Sequence, residues 1–331
     1  MSRLDDIIRL LLDFEGISRK FVLPSIIGKL RLESFHGNQA HGLGEDSAAI
    51  GTQSDEVILL TTDAIVEELC LMSPQAAGFN AVLANVMDIY AAGGTPTSFA
   101  AALSYSDKNI GSQLLQGLID GSHTFQVPIV RGHTNPLAPS TYVVGSATGT
   151  VQRKSLLTAG GAKTGDALVL LFDQVGKRGS SYRLGWDSVT GRTSEEVVKR
   201  LSVMNDLANL QLLTAAKDIS VAGMIGTAGM LLEYSGKGGI ISLDKIDECR
   251  PDAIGLEDWL RMFISLGFLV TTPKKDLQEV GQVAKEHGVI SREIGSVDES
   301  ETLRLFLGSD ENVIFDYSSG PIFTPRGTIE Q

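Results

Sequence analysis

Two carboxylates in the first quarter of the sequence stand where a metal ion could be held. Asp46 lies in segment 44–50 (Gly-Glu-Asp-Ser-Ala-Ala-Ile), before small apolar residues, and Asp63 ends the apolar segment 57–62. A carboxylate at a strand entrance or at the C-terminal end of a strand can face a cleft and supply an oxygen ligand to a hard cation. A solvated acidic turn at Asp46 and an ordinary strand-ending turn at Asp63 are the alternatives.

A third carboxylate, Asp88, lies in an apolar segment that is predicted to be helical. Asn85 and Asp88 are three residues apart, so they share one face of the predicted helix 74–92. Burying an unpaired charge is costly, and Asp88 therefore requires a partner. A metal ion is the interpretation that we favour, and a buried salt bridge is the alternative. Gly93 and Gly94 are predicted to end this helix.

A glycine-containing segment follows a short predicted strand at 128–130. Segment 130–136 (Val-Arg-Gly-His-Thr-Asn-Pro) is predicted to form a turn. Backbone N–H groups in such a turn, around Gly132 and Thr134, can bind phosphate. His133 is a candidate catalytic residue, as a general base or as a metal or phosphate ligand, and the alternative is that it only completes the turn.

The second half of the sequence contains one comparable acidic position. Asp218 precedes a helix that is predicted to begin at Gly223 and that is rich in small residues. The N-terminus of a helix can bind anions, and we treat Asp218 as a second candidate catalytic residue. Close packing is the alternative explanation for the glycines of this helix.

Segment 173–193 is predicted to be a polar loop around Trp186. Its basic residues are Lys177, Arg178, Arg183 and Arg192. Such a loop could close over an anionic or planar acceptor. The alternative is a solvated surface loop in which Trp186 serves as the packing anchor.

The elements that position these residues alternate between strands and helices. Hydrophobic periodicity predicts strands at 57–62, 97–103, 128–130, 141–151, 167–172, 240–243, 267–271 and 294–297. It predicts helices at 1–32, 74–92, 109–124, 194–216, 223–235, 256–260 and 275–287. Residues 33–45 are expected to form a loop, and about the last 25 residues to be weakly structured. This order indicates an α+β (α/β) protein with domains at 1–155 and 156–331.

Composition limits the classes of partner. The 331 residues carry a net charge of −12, and no basic stripe suitable for nucleic acid is visible. Segment 1–12 lacks the basic start and long apolar stretch of a signal peptide, and the apolar runs are too short to span a bilayer. We therefore expect a cytoplasmic protein that acts on a small molecule, without nucleic-acid or membrane partners.

The order of these segments resembles a known superfamily. Its members are aminoimidazole ribonucleotide (AIR) synthase, thiamine-monophosphate kinase, selenophosphate synthetase and a hydrogenase-maturation enzyme. Segment 44–49 is similar to the Gly-Asp-Asp-Ala-Ala motif, 60–63 to the Thr-Thr-Asp strand end, and 85–94 to the Asn-x-x-Asp-Ile-x-Ala-x-Gly-Gly helix. Further similar segments are 130–134, 217–223 and 294–297.

The resemblance implies an AIR synthase-like fold of two domains and a homodimer in which the N-terminal sheets pair. It implies ATP and Mg²⁺ as cofactors, with Mg²⁺ held by Asp46, Asp63 and Asp88. It also implies that ATP phosphate is transferred to, or used on, a small-molecule acceptor. The residues that we assign to ATP binding are Thr62, Asn85, Gly93, Gly94, Gly132 and Thr134.

Departures from the named members decide which branch the sequence is most similar to. Residues 1–40 and 328–331 contain no Cys, unlike selenophosphate synthetase and the hydrogenase-maturation enzyme respectively. AIR synthase and thiamine-monophosphate kinase have an acidic residue where His133 stands, and the kinase has a second Asp where Val221 stands. The sequence is most similar to uncharacterised AIR synthase-related members. Thiamine-monophosphate kinase and a nucleotide-binding protein without catalysis are the alternatives.

Overall fold

The computed structural model describes residues 2–35, 42–51 and 54–324. The helices in these ranges are α1 (Arg3–Leu12), α2 (Glu15–Ser18), α3 (Leu23–Glu33), α4 (Glu67–Met72), α5 (Pro74–Ala91), α6 (Lys108–Phe125), α7 (Ser194–Leu201), α8 (Val203–Asn209), α9 (Gly223–Tyr234), α10 (Leu243–Cys249), α11 (Leu256–Arg261) and α12 (Leu277–Glu286). None of these helices is long and apolar enough to cross a lipid bilayer.

The strands of the same ranges form two large sheets and one small sheet. They are β1 (Ala48–Ile50), β2 (Glu56–Ala64), β3 (Thr95–Tyr105), β4 (Ile129–Pro136), β5 (Tyr142–Gln152), β6 (Ala167–Phe172), β7 (Lys177–Arg178), β8 (Gly185–Asp187), β9 (Ala215–Asp218), β10 (Gly238–Ser242), β11 (Phe263–Ile264), β12 (Phe268–Thr272), β13 (Ile290–Asp298), β14 (Thr302–Leu307) and β15 (Asp310–Asp316).

The N-terminal sheet is covered on one face and open on the other within the described chain. Its strand order is β1-β2-β5-β3-β4, and β3 and β4 are parallel while the other neighbours are antiparallel. Residues of β2 alternate between exposed and buried, as expected for a sheet with one packed face. Helix α5 packs on the buried face and against α6 and β9, so most of its residues are buried. Asp88, one of the acidic residues of the site described below, lies on this helix.

The second sheet is covered on both faces, which explains the continuous apolar run of β6. Its strand order is β15-β14-β10-β13-β6-β12-β9. Val169 and Leu171 belong to a core shared with α7, α8 and α12, and Leu168 and Leu170 belong to a core shared with α9, α10 and α11. Adjacent residues of a strand point to opposite faces, so a strand buried on both faces is apolar throughout.

Helix α1 packs against β14 and β15 of the second sheet, and α2 packs against α9. Helix α1 begins with a capping box between Ser2 and Asp5, and its residues Leu4, Ile7 and Leu11 are buried in the core formed with α9 and α11. The predicted helical region 1–32 is thus divided into three helices. The division of the chain at residue 155 remains a prediction.

Two predicted elements are wrong in type. The predicted turn at 130–136 is part of β4, because these residues pair with β3 at the edge of the sheet. The predicted helix 194–216 is wrong after Leu210, since Gln211 adopts a left-handed conformation with φ 56° and β9 follows. The small residues of β9 favour a helix locally, but here they pair with β12 inside the sheet.

The C-terminal segment is more ordered than its sequence predicts. Strand β15 pairs with β14, and the buried Phe315 and Phe323 pack edge to face with ring centroids 4.9 Å apart. These side chains pack with the core of α9, which a local sequence pattern does not reveal. Residues 36–41 of the predicted loop 33–45, and residues 325–331 of the predicted weakly structured end, lie outside the described residues.

Candidate metal centre

Three carboxylates from distant parts of the chain meet between the two sheets. Asp46 precedes β1, Asp88 lies on α5 and Asp218 ends β9. One carboxylate oxygen of each lies within 4.8 Å of the others, and Asp88 and Asp218 are buried. Oxygen donors at this separation are the ligand type that a hard divalent cation prefers.

The fourth carboxylate, Asp63, contacts the same group. It lies near the end of β2, and its carboxyl group interacts with that of Asp88. The hydroxyl of Thr61, two residues earlier on the same side of the strand, also donates to Asp88 Oδ2. Strand β2 therefore positions Asp63 and fixes Asp88 through Thr61.

The electrostatics of this cluster favour a cation. Burial raises the pKa of Asp88 well above its ordinary value, and the neighbouring carboxylates of Asp218 and Asp63 raise it further. Burial, with Asp46 as the next cause, raises the pKa of Asp218 to about 8. Burial also raises the pKa of Asp63. Burial and the mutual repulsion of these carboxylates thus disfavour their charged forms, and a bound cation would act in the opposite direction.

Lys217 supplies part of the countercharge. Its ammonium group forms an ion pair with Asp46 Oδ1, and the backbone N–H of Asp218 donates to Asp46 Oδ2 at 3.3 Å. Burial lowers the pKa of Lys217, but the carboxylates of Asp46 and Asp218 outweigh burial and raise it above its ordinary value. Lys217 therefore stays charged and links Asp46, which lies just before β1, to β9 of the second sheet.

Lys20 is a second cation that our sequence interpretation did not assign to the site. It lies between α2 and α3, and its charge interacts with those of Asp63, Asp218 and Lys217. Burial lowers the pKa of Lys20, and the positive charge of Arg19 lowers it further. Asp63 and Asp218 follow Lys20 at very different distances along the sequence, so no spacing pattern connects them with it. Only the folded structure shows that Lys20 lies near these acids.

The adjacent acid Glu45 has a different role from Asp46. Its Oε2 atom accepts a hydrogen bond of 2.7 Å from the backbone N–H of Ala159. Burial raises the pKa of Glu45 to about 7. Glu45 thus fastens the loop before β1 to the segment that connects the two sheets, and this contact holds Asp46 in place.

Asn85 and Thr62 lie close to the acids in the chain but face different environments. Asn85 is buried and its Nδ2 group donates to the Ala81 carbonyl at 2.8 Å, while its Oδ1 atom has no hydrogen-bond partner. Thr62 lies on the exposed face of β2, and its hydroxyl donates to the Gly145 carbonyl at 2.9 Å. The assignment of both residues to ATP remains a prediction.

Gly93 and Gly94 connect α5 to α8. Their carbonyls accept hydrogen bonds of 3.0 and 2.8 Å from Asn205 Nδ2. Gly93 has φ 76°, and a Cβ there would lie 2.7 Å from the Ser155 carbonyl oxygen, so that only glycine fits without a shift. These contacts give both glycines a structural role at the end of α5. Their assignment to ATP binding remains a prediction.

Within one chain, the residues of β4 lie apart from the acids. Asp63 pairs with Gly145, Gly145 with Ala101, and Ala101 with Gly132. Three strand spacings correspond to about 14 Å between the backbones of Asp63 and Gly132. All of β4 is exposed, including the predicted site residues Gly132, His133 and Thr134. The fold thus joins Asp46, Asp63, Asp88 and Asp218 but not these three residues.

Two family models match this chain. The N-terminal domain of AIR synthase related proteins matches residues 44–151, and the C-terminal domain matches residues 163–308. The chain belongs to the AIR synthase related family. This confirms the resemblance that the ordered motifs indicate.

Several curated relatives of this AIR synthase related chain span nearly its whole length. An uncharacterized protein of Methanocaldococcus jannaschii is 32% identical over 307 residues, covering 92% of this chain and 94% of that protein. An uncharacterized protein of Synechocystis sp. is 34% identical over 288 residues, covering 86% and 87%. The thiamine-monophosphate kinase of Buchnera aphidicola is 24% identical over 306 residues, covering 85% and 92%.

Solved structures confirm the predicted AIR synthase-like fold. A structure described as AaThiL complexed with AMPPCP and TMP has a TM-score of 0.61 at 21% identity, covering 86% of this chain and 91% of that one. T. maritima PurL complexed with ATP has a TM-score of 0.71 at 16% identity and covers 83% of this chain. The present chain spans only 47% of that PurL chain.

Proposed function

We propose that this protein is a Mg²⁺-dependent, ATP-using enzyme that transfers or uses the ATP phosphate on a small-molecule acceptor. The observation that carries the proposal is the convergence of Asp46, Asp63, Asp88 and Asp218, with raised pKa values for the last three. Buried carboxylates without matching countercharge fit a divalent cation, and such a cation fits the phosphates of a nucleotide. The kinase relatives and the nucleotide-bound structures named above support the same reaction class.

The residues of the chain have separable roles in this proposal. Asp46, Asp63, Asp88 and Asp218 would hold the metal, which when bound neutralises the charge of the phosphates. Lys217 orients Asp46 through their ion pair, and Thr61 orients Asp88 through its hydroxyl. Lys20 would add a positive charge on the side of the N-terminal helices. We keep His133 only as a candidate general base.

The homodimer implied by the family would also give β4 a role. Among the described residues, β4 presents an unpaired edge on which Val130 is exposed, and the open face of the sheet carries the exposed Ile58 and Leu60. We propose that a second copy covers this face. Gly132, His133 and Thr134 would then contribute to a nucleotide site at the subunit interface.

The test is binding of Mg²⁺ and ATP to Asp63→Asn and Asp88→Asn variants. We expect each variant to keep its fold and to bind Mg²⁺-ATP at least tenfold more weakly in isothermal titration calorimetry, because an amide cannot replace an ionised ligand. Asp310→Asn, at the exposed start of β15, is the matched control and should bind as the wild type does. Unchanged affinity in both site variants would reject the proposal.

A second candidate activity is thiamine-monophosphate kinase. The near full-length relation to the Buchnera enzyme favours it. The residues at His133 and Val221, where the family resemblance implies acids in that kinase, argue against it. A coupled assay for ADP, with thiamine monophosphate as acceptor at saturating ATP, decides whether the protein has this kinase activity. ATP binding without ADP release, for every small acceptor tested, would instead favour a non-catalytic nucleotide-binding protein.

A further inference from the structure

A cavity lies in the C-terminal part of the molecule, away from the carboxylate cluster. Its volume is about 450 Å³, which is within the usual range for small-molecule sites. It lies between β7, β8 and the connection from α10 to α11. The side chains of its wall that matter for binding are Lys177, Arg178, Trp186, Arg250 and Asp252.

The wall of this cavity carries an excess of positive charge, since Lys177, Arg178 and Arg250 line it with one carboxylate, that of Asp252. Asp258 is shared by three arginines: Arg178 at 2.8 Å, Arg261 at 3.0 Å and Arg183 at 3.5 Å. One carboxylate cannot neutralise three guanidinium groups, so an additional anion is favoured nearby. The excess is local, because the whole chain has a net charge of −12.

Lys177 is the cation best placed to meet a ligand. Its side chain is exposed, and no carboxylate lies within 4.0 Å of its ammonium group among the described residues. Its cross-strand neighbour Asp187 uses Oδ1 to accept hydrogen bonds from the N–H groups of Val189 and Thr190. Arg250 is held by Asp247 and by the Ile254 carbonyl, and therefore shapes the opposite wall.

The wall is also held rigidly from behind. Trp186 Nε1 donates to the Asp173 carbonyl at 2.9 Å, and the Trp186 ring packs edge to face on Trp259 at 5.6 Å. The buried Asp173 carboxylate pairs with both Arg192 and Arg200. A preformed wall binds a ligand without the entropic cost of ordering a loop.

We propose that this cavity binds a small metabolite through an anionic phosphate or carboxylate group, held by Lys177 and Arg178. The apolar part of the ligand packs against Trp186. This inference does not rest on the proposed Mg²⁺-ATP function, because none of the four clustered carboxylates lines the cavity.

The test uses intrinsic fluorescence, since Trp186 lines the cavity and Trp259, the other tryptophan of the chain, packs on Trp186. Inorganic phosphate, pyrophosphate and citrate are titrated separately into the full chain without Mg²⁺ or nucleotide. We expect a saturable change for at least one anion, with a Kd on the order of 1 mM or below. Isothermal titration calorimetry with the same anion checks that one anion binds per chain.

Variants decide whether the cavity is responsible. Lys177→Gln should weaken binding at least tenfold, whereas Lys285→Gln, an exposed lysine on α12, should leave it unchanged. Asp88→Asn should also leave it unchanged, which separates this site from the metal centre. The proposal would be overturned if none of the three anions bound saturably. It would also be overturned if Lys177→Gln bound the anion as tightly as the wild type, or if Asp88→Asn no longer bound it.

Discussion

Lys20 and the four clustered carboxylates determine the charge balance of the candidate site. Burial raises the pKa values of Asp63, Asp88 and Asp218, while the positive charges of Lys20 and Lys217 lower those of Asp63 and Asp218. The N-terminal helices place Lys20 so that its charge acts on Asp63 and Asp218. A cation in this position would attract the phosphates of a nucleotide that is bound through the metal.

Replacing Lys20 tests this role directly. We expect Lys20→Met to weaken Mg²⁺-ATP binding about tenfold, because a charge-assisted contact of roughly 1.4 kcal/mol is lost. Lys20→Arg should retain most of the affinity, since the charge remains. Calorimetric titration measures both, and Lys29→Met on the exposed face of α3 is the matched control. Equal affinities for Lys20→Met and the control would show that Lys20 does not contact the nucleotide.

At the scale of elements, segment 173–193 illustrates how a polar loop is stabilised. The structure supports the packing interpretation of Trp186, whose side chain is 4% exposed. The segment includes β7 and β8, and it is fastened to α7 through the Asp173 carboxylate, which pairs with Arg192 and Arg200. These ion pairs satisfy a buried charge, so removing one partner leaves the others unpaired.

Asp173→Asn is therefore expected to destabilise the protein more than any surface substitution of the same kind. The expected loss in free energy of unfolding is roughly 3 kcal/mol, because two partly buried guanidinium groups lose their counterion. Chemical denaturation monitored by circular dichroism measures the loss. Asp310→Asn at the exposed start of β15 should change stability by less than about 0.5 kcal/mol. A similar small loss for both variants would contradict the anchoring role of Asp173.

The same scale shows where local pattern and tertiary pairing disagree. Segment 130–136 contains Gly and Pro, which favour a turn, yet its backbone pairs in parallel with β3 and forms the sheet edge. Ala215 and Ala216 favour a helix, yet they are buried in β9 beside β12. In both cases a neighbouring strand distant in sequence determines the structure, so a local window could not predict it.

At the scale of the whole molecule, the described chain leaves the open face of the N-terminal sheet and its edge strand β4 uncovered. Ile58 is 49% exposed, Leu60 is 41% exposed and Val130 is 63% exposed. An apolar sheet face with an adjacent unpaired edge indicates an interface. The proposed homodimer would cover both.

Leu60→Lys tests the proposed assembly. We expect the wild-type chain to elute as a dimer in size-exclusion chromatography with light scattering, and Leu60→Lys to shift it toward the monomer, because a charge opposes burial of this face. Val313→Lys is the matched control, since Val313 on β15 is 42% exposed but lies on the other sheet. A monomeric wild type, or the same dimer in both variants, would refute the interface.

The sequence by itself determined the family, the α+β class and most of the strongly periodic elements. Helix 74–92 and strand 167–172 are correct almost to the residue, because their burial pattern and end signals are local. The ordered motifs around Asp46, Asp63 and Asp88 also identified three of the four clustered acids, since each motif occupies a few consecutive residues.

Only the tertiary structure decided which of these residues meet. It placed Asp218 among the three N-terminal acids, brought Lys20 and Lys217 to them, and left His133 on an exposed edge. The physical reason is that these neighbours are separated by tens to hundreds of residues and are held together by sheet pairing and packing. Spacing along the chain carries no information about such contacts, whereas the distances between folded strands and helices do.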